Sequence, residues 1–100
     1  MAGYTLTRTA EDELQEILRF IAEDSGVERA LTVHEKLADA FETLATSPEI
    51  GFRRRELTGD RNRWWPVFRL LIIYDPETEP LTVLRVIHGA REVERLFRRE

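Results

Sequence analysis

The sequence predicts an α+β fold in which a helical hairpin packs on a small antiparallel sheet, with its elements in the order β-α-α-β-β-β-α. The first half carries two apolar stripes at helical spacing, and the second half carries two runs of strand-forming residues separated by a turn. With 100 residues, 42% of them apolar, the chain can bury one small core. We therefore expect a single domain over residues 1–100.

The first two predicted elements are a short strand and a helix. Residues 4–7 alternate apolar and polar side chains, as a strand with one buried face does. Thr9 is a suitable cap for the following helix, whose first turn, residues 11–13, is acidic as the helix dipole favours. The apolar stripe of this helix consists of Leu14, Ile17, Leu18 and Ile21.

A second helix follows after a short break at residues 24–26. Ser25 to Glu28 matches a capping box, and Gly26 can adopt a positive φ. Ser47-Pro48 ends the helix. Its apolar stripe consists of Ala30, Leu37, Ala38, Phe41, Leu44 and Ala45. Because the connection is short, the two helices should lie antiparallel as a hairpin.

Strand signals dominate the second half. Residues 52–57 predict a short edge strand, and residues 58–62 are rich in turn formers. Residues 67–74 are almost continuously apolar, which predicts one central strand. Two prolines within residues 75–80 favour a turn, so residues 81–88 should return as an antiparallel strand. A short helix at residues 93–97 completes the predicted order.

Charge is unevenly distributed along the chain. Residues 1–50 contain 4 basic and 11 acidic side chains, and residues 51–100 contain 11 basic and 8 acidic ones. A basic segment in the second half includes Arg53, Arg54, Arg55, Arg61 and Arg63, followed by Trp64. Arginine suits phosphate or carboxylate recognition, and an exposed tryptophan suits stacking or protein contact. Because adjacent strand residues face opposite ways, one of Trp64 and Trp65 is expected in the core. An ordinary solvated surface with ion pairs explains the same charges equally well.

Composition excludes several kinds of site. The chain has no cysteine, which rules out disulfides and thiolate metal sites. No Gly-rich phosphate loop and no spaced His, Cys or Asp cluster is present, so neither a cofactor nor a metal ion is expected. No segment approaches the roughly 20 apolar residues of a membrane helix, and no secretory signal precedes the first strand. We expect a cytoplasmic protein that does not bind membranes.

Several short segments carry a family resemblance. They are Leu44-Ala45 with Pro48 and Gly51, Arg55-Glu56-Leu57, Tyr74 before the turn, and Leu84-Arg85-Val86-Ile87-His88-Gly89-Ala90-Arg91. In this order the chain resembles the ParE/RelE superfamily of bacterial toxins, and most closely its ParE branch. The resemblance implies a type II toxin–antitoxin module associated with plasmid stabilisation, and a hetero-oligomer with a cognate antitoxin whose C-terminal segment wraps the toxin. It also implies DNA gyrase as the target.

The alternative is a RelE-like enzyme that cleaves mRNA on the ribosome. Such cleavage needs a base and an acid, and arginine can only stabilise the charge on the phosphate. His88 is the one candidate base, because His34 lies beside the stripe of the second helix and is expected to flank the core. RelE-type nucleases tend to be basic, whereas this chain carries a net charge of −4. We therefore expect a gyrase-binding inhibitor; an enzyme would be a metal-independent endoribonuclease. A toxin fold with lost toxicity or another target is a third possibility.

Four further residues are candidates for contact with the target or the antitoxin. Arg69 and Arg85 interrupt apolar strands and either share the solvent face of the sheet or pair with Glu56 or Asp75. Arg91 is expected in the first turn of the terminal helix, where the dipole disfavours a cation and a ligand would explain it better. Phe97 either docks that helix or lines a groove that the antitoxin covers.

Overall fold

The structure is a computed structural model that describes residues 3–89. The predicted terminal helix, together with Arg91 and Phe97, lies outside the described residues. The helices are α1 (Arg8–Ser25), α2 (Val27–Thr46) and the short α3 (Arg55–Thr58), and the strands are β1 (Tyr4–Leu6), β2 (Phe52–Arg53), β3 (Arg63–Val67), β4 (Leu70–Asp75) and β5 (Leu81–His88). The sheet order is β1-β5-β4-β3-β2. Helices packed on one sheet confirm the predicted α+β class.

The sheet is mixed because its first strand runs parallel to its last. Tyr4 aligns with Leu81 in the parallel β1–β5 pair, and the other three strand pairs are antiparallel. The predicted antiparallel arrangement therefore holds for every pair except this one. Pairing across the ends of the chain cannot be read from local sequence patterns.

The helical hairpin forms as predicted, but both of its caps differ from the prediction. Thr7, rather than Thr9, caps α1: its hydroxyl oxygen accepts the Ala10 N–H at 3.0 Å. The same hydroxyl lies 2.9 Å from the Leu84 carbonyl and donates to it, which ties the start of α1 to β5. The capping box does not form, because Gly26 at φ 100° is the N-cap of α2 and the Ser25 hydroxyl donates to Asp24 instead.

The core lies between the helical hairpin and one face of the sheet. Both predicted stripes face it, and Val33 joins them, whereas His34 is exposed rather than flanking the core. The buried residues of this layer are Ala10, Ile17, Val33, Leu37, Phe41, Leu44, Leu70, Ile72, Tyr74, Leu81, Val83 and Val86. A smaller cluster on the opposite face contains Trp64, Ile73 and Ile87. Both faces of the central strands are therefore apolar.

The predicted strand over residues 67–74 does form the centre of the sheet from Leu70 onward, but its start is wrong because a tight turn divides it. Val67 pairs with Leu70, so Phe68 and Arg69 form a two-residue connection between β3 and β4. Such hairpin turns need a positive φ at the first central residue, which usually makes that residue glycine. Here Phe68 supplies it with φ 58°. This conformation costs a non-glycine residue about 1 kcal/mol or more.

The predicted edge strand over residues 52–57 is also shorter than expected. Only Phe52 and Arg53 pair with β3, and the chain then turns into α3. Pro66 lies in β3 beyond the reach of β2, so its missing N–H faces an unpaired edge. The edge strand of the sheet is therefore only two residues long.

Tyr74 fastens the segment after α2 to the centre of the sheet. Its hydroxyl accepts the Gly51 N–H at 3.0 Å and donates to the Pro48 carbonyl at 2.6 Å. Burial raises the pKa of Tyr74, which keeps this hydroxyl protonated and able to donate. The side chain is fully buried, so the two hydrogen bonds hold residues 48–51 against β4.

Candidate functional site

The predicted basic segment follows the β2, α3 and β3 edge of the sheet, where acidic neighbours offset much of its charge. Arg54 pairs with Glu56 at 3.1 Å, and Arg55 pairs with Asp60 at 2.6 Å. Arg63 donates to the Gly51 carbonyl at 2.7 Å. Arg53 is exposed on β2, opposite Arg63 in the register. The five arginines lie along one edge, and all except Arg53 are held by an ion pair or hydrogen bond to the protein itself.

Trp64 lies inside the fold rather than on its surface. It is 0% exposed, its indole N–H donates to the Thr58 hydroxyl at 2.8 Å, and the Arg54 guanidinium lies 5.5 Å from its ring centroid. Trp65, on the other face of the strand, packs against the main core. In this conformation Trp64 anchors α3 and does not present a stacking surface. A buried tryptophan beside arginines looks the same in sequence as an exposed one.

Arg85 pairs with a residue that sequence reasoning missed. Its Nη2 and Nε lie 2.5 Å and 2.9 Å from Glu13 of α1, and not near Glu56 or Asp75 as predicted. The Glu13 carboxylate also accepts the Val86 N–H at 3.0 Å. The pair lies where the β4–β5 register shifts between Ile73 and Tyr74. Glu13 therefore holds α1 against a bulged part of β5.

Arg69 lies in the turn between β3 and β4, not within a strand. It is exposed, and its backbone carbonyl accepts the Gly89 N–H at 2.7 Å. The prediction that Arg69 and Arg85 share the solvent face of the sheet is therefore wrong. Arg69 belongs to an exposed end of the molecule, whereas Arg85 is half-buried beneath α1.

His88 is exposed at the end of β5 and lines a shallow pocket together with Glu13, Glu16, Ile17, Val86 and Ile87. It aligns with Leu70 at one end of β4, whereas Arg63 aligns with Tyr74 near the other end. These positions are separated by roughly 14 Å along the sheet and roughly 10 Å across it. The structure therefore does not bring His88 and the basic segment together around one phosphate.

Asp75 is the acidic partner of Arg61. Its carboxylate accepts hydrogen bonds from Arg61 Nε and from the Glu77 N–H, each at 3.0 Å. Partial burial alone would raise the pKa of Asp75, but these donors and the Arg61 charge outweigh burial and lower it. Asp75 therefore favours its charged form in the folded protein.

The lowered pKa predicts an acid-dependent loss of stability. Asp75 contributes stability that is fully present above its unfolded-state pKa and is lost as the pH falls through its folded-state pKa. We expect Asp75→Asn to lower the free energy of unfolding at neutral pH by about 1 kcal/mol or less, because Arg61 is 56% exposed. The variant should also depend less on pH in acid, as measured by urea unfolding. Glu77→Gln, at the longer 3.7 Å contact, is the control. An unchanged acid slope in Asp75→Asn would contradict this assignment.

Neither a metal-binding group of side chains nor a membrane-spanning helix is found in the part of the chain that the structure describes. Among residues 3–89, no three His, Asp or Glu side chains are grouped so that they could hold a metal ion. Neither long helix in the same range is apolar enough to cross a membrane.

Comparison with known proteins gives one family and one fold match. The family model for the ParE toxin of type II toxin-antitoxin systems, parDE, matches residues 4–93. The chain is similar to a solved structure described as the chromosomal ParDE TA system from P. aeruginosa, with a TM-score of 0.73 and 17% identity over 87% of this chain and 95% of that chain. At this identity the likeness shows the fold alone. No curated protein sequence matches. Because the family model spans most of its length, the chain belongs to the ParE toxin family of type II toxin–antitoxin systems.

Proposed function

We propose that this ParE-family toxin inhibits DNA gyrase by binding it, and that a cognate antitoxin neutralises it in a hetero-oligomer. The family match over residues 4–93 is the observation that carries the proposal. The geometry adds support, because the described candidate residues are spread over two ends of the sheet. An inhibitor that acts by binding can use such separate surfaces, whereas a nuclease needs its groups within reach of one phosphate.

The nuclease alternative depends on His88, and within residues 3–89 the groups around it are not arranged for proton transfer. A general base needs a partner or substrate proton within hydrogen-bond reach and cations near the phosphate. Glu13, which lines the pocket beside His88, is already bonded to Arg85 and to the Val86 N–H. Arg61 is likewise bonded to Asp75, at the other end of the sheet. These contacts favour binding over catalysis.

Supercoiling by purified gyrase tests the proposal. We expect the wild-type toxin to inhibit supercoiling, and His88→Gln to inhibit equally well, since no step of the proposed inhibition uses that imidazole. Translated mRNA should remain intact with both proteins. The second assay uses ribosomes translating a defined mRNA, with cleavage read by primer extension.

A nuclease would give the opposite pattern. His88→Gln would then lower the cleavage rate by about a hundredfold or more, as loss of a general acid or base does. Uninhibited supercoiling at saturating toxin, together with cut mRNA, would replace the gyrase proposal with the ribosomal one. His34→Gln is the matched control, because His34 is also exposed but lies on α2, away from the strand end.

A further inference from the structure

The turn between β3 and β4 presents an aromatic side chain that the fold itself hardly uses. Phe68 is 52% exposed and belongs to neither apolar cluster. Its backbone has φ 58°, a conformation that glycine or asparagine adopts with less strain. A bulky residue at this position is unfavourable for the turn and adds little to the core. This combination is expected when the side chain serves an external contact.

Arg29 is the described neighbour of this ring. Its guanidinium carbon lies 5.5 Å from the centroid of Phe68. Arg29 occupies the first turn of α2, where the helix dipole disfavours a cation. Helix stability therefore does not explain its position. Stacked arginine and exposed aromatic residues together have the composition of binding hot spots.

The contact between Arg29 and Phe68 places the β3–β4 turn beside the start of α2. The hairpin-end surface, as we name it, comprises Phe68 with Arg29 and Arg69, and all three residues are exposed.

The charges at this surface indicate the chemistry of the partner. Within residues 3–89, neither Arg29 nor Arg69 forms an ion pair, whereas other arginines do. The ion-paired arginines are Arg19, Arg54, Arg55, Arg61 and Arg85. A segment with an apolar side chain for Phe68 and carboxylates for the two arginines complements the surface.

We propose that the hairpin-end surface binds an acidic segment of the antitoxin, with Phe68 as the apolar anchor and Arg29 and Arg69 as carboxylate partners. This inference rests on the proposed function, since it requires that an antitoxin exists. It specifies which end of the toxin the antitoxin binds and which chemical groups form the contact. The ParE family assignment does not depend on it.

The test measures binding of the antitoxin encoded beside the toxin gene by titration calorimetry with the full toxin chain. Phe68→Asn removes the ring and keeps a residue that tolerates positive φ, and Phe68→Gly repeats the test with a different backbone. We expect each variant to weaken binding about tenfold or more, as loss of a hot-spot aromatic does. Arg29→Gln should also weaken binding and reduce its salt dependence. The free energy of unfolding of the free toxin should not fall in either Phe68 variant, because asparagine and glycine adopt a positive φ with less strain than phenylalanine.

Phe52→Asn and Arg8→Gln are matched controls. Phe52 is another exposed Phe, on the β2 edge of the sheet, and Arg8 is another exposed Arg in the first turn of a long helix, α1. Both should bind like the wild type.

Equal binding by Phe68→Asn and the wild type would overturn the inference and leave the proposed function intact. If the variants lose enough stability to account for the lost affinity, then Phe68 acts by stabilising the turn, which would also overturn the inference. Variants that lose only gyrase inhibition, or only self-association, would likewise contradict an antitoxin-binding role. A wild-type toxin that does not bind the antitoxin would overturn both proposals.

Discussion

Gly51→Ala should lower the free energy of unfolding by about 3 kcal/mol, because overpacking a closed site typically costs 1–3 kcal/mol. A Cβ at this position would clash with the Tyr74 hydroxyl and lie 2.9 Å from the Trp64 carbonyl oxygen. Tyr74 is fully buried, so its ring cannot swing aside, and the Trp64 contact is backbone. Urea unfolding of the free toxin measures the loss. The same change should weaken the hydrogen bond from Gly51 to Tyr74.

Two control variants separate the steric clash at Gly51 from effects of the backbone conformation. Gly51 has φ −70°, which any residue adopts, so the cost of the substitution is steric. Gly59→Ala is the opposite case, because Gly59 has φ 79° and a Cβ added there would meet no atom within 4 Å. This substitution should cost about 1 kcal/mol through the backbone conformation alone. In a Tyr74→Phe background the Gly51→Ala cost should fall because one clashing atom is gone. Equal costs in both backgrounds would show that Tyr74 is not the obstacle.

Glu13→Ala should be the second most damaging change, costing about 2–3 kcal/mol. It removes three hydrogen bonds and leaves Arg85, whose side chain is 30% exposed, without this carboxylate and the Val86 N–H without an acceptor. Leaving buried or half-buried polar groups unsatisfied costs more than the hydrogen bonds contribute while they are intact. Thermal and urea unfolding of the variant provide the measurement.

Glu16→Ala is the control for this substitution. It removes another α1 carboxylate with an arginine partner, but both members of the Glu16–Arg19 pair are more than half exposed. Such pairs contribute little to stability, so we expect a change within about 0.5 kcal/mol. Comparable losses in the two variants would mean that Glu13 acts as an ordinary surface charge. That outcome would contradict a stabilising role for Glu13 at the α1–β5 junction.

The sequence predicted what depends on local periodicity. Apolar spacing located both helices. Gly26 and Pro48 marked their ends, because glycine permits a positive φ and proline cannot continue a helix. The family resemblance was confirmed by the family match. Predictions were wrong where the deciding contact is distant or the usual signal is absent. Phe68 occupies a turn position that normally carries glycine, so residues 67–74 looked like one strand.

Candidate site residues were harder to predict for a related reason. Charge and aromaticity identify residues that can bind, but burial decides whether they are accessible. Trp64 and Arg85 have the composition of binding residues, yet one is buried under α3 and the other is engaged by Glu13, 72 positions earlier. Phe68 was missed because it was assigned to a strand interior. The pairing of Val67 with Leu70 in the folded protein places Phe68 in an exposed turn, with Arg29 above its ring.

The parallel pairing of β1 with β5 has a consequence for how the toxin is made. β1 leaves the ribosome well before its partner strand, because Tyr4 pairs with Leu81, 77 positions later. Contacts of such long sequence separation form late and slow folding. During synthesis, α1 and α2 can meet early, whereas the sheet stays open on that side until β5 has emerged. We therefore expect a translation product that stops before Leu81 to be incompletely folded and sensitive to proteases.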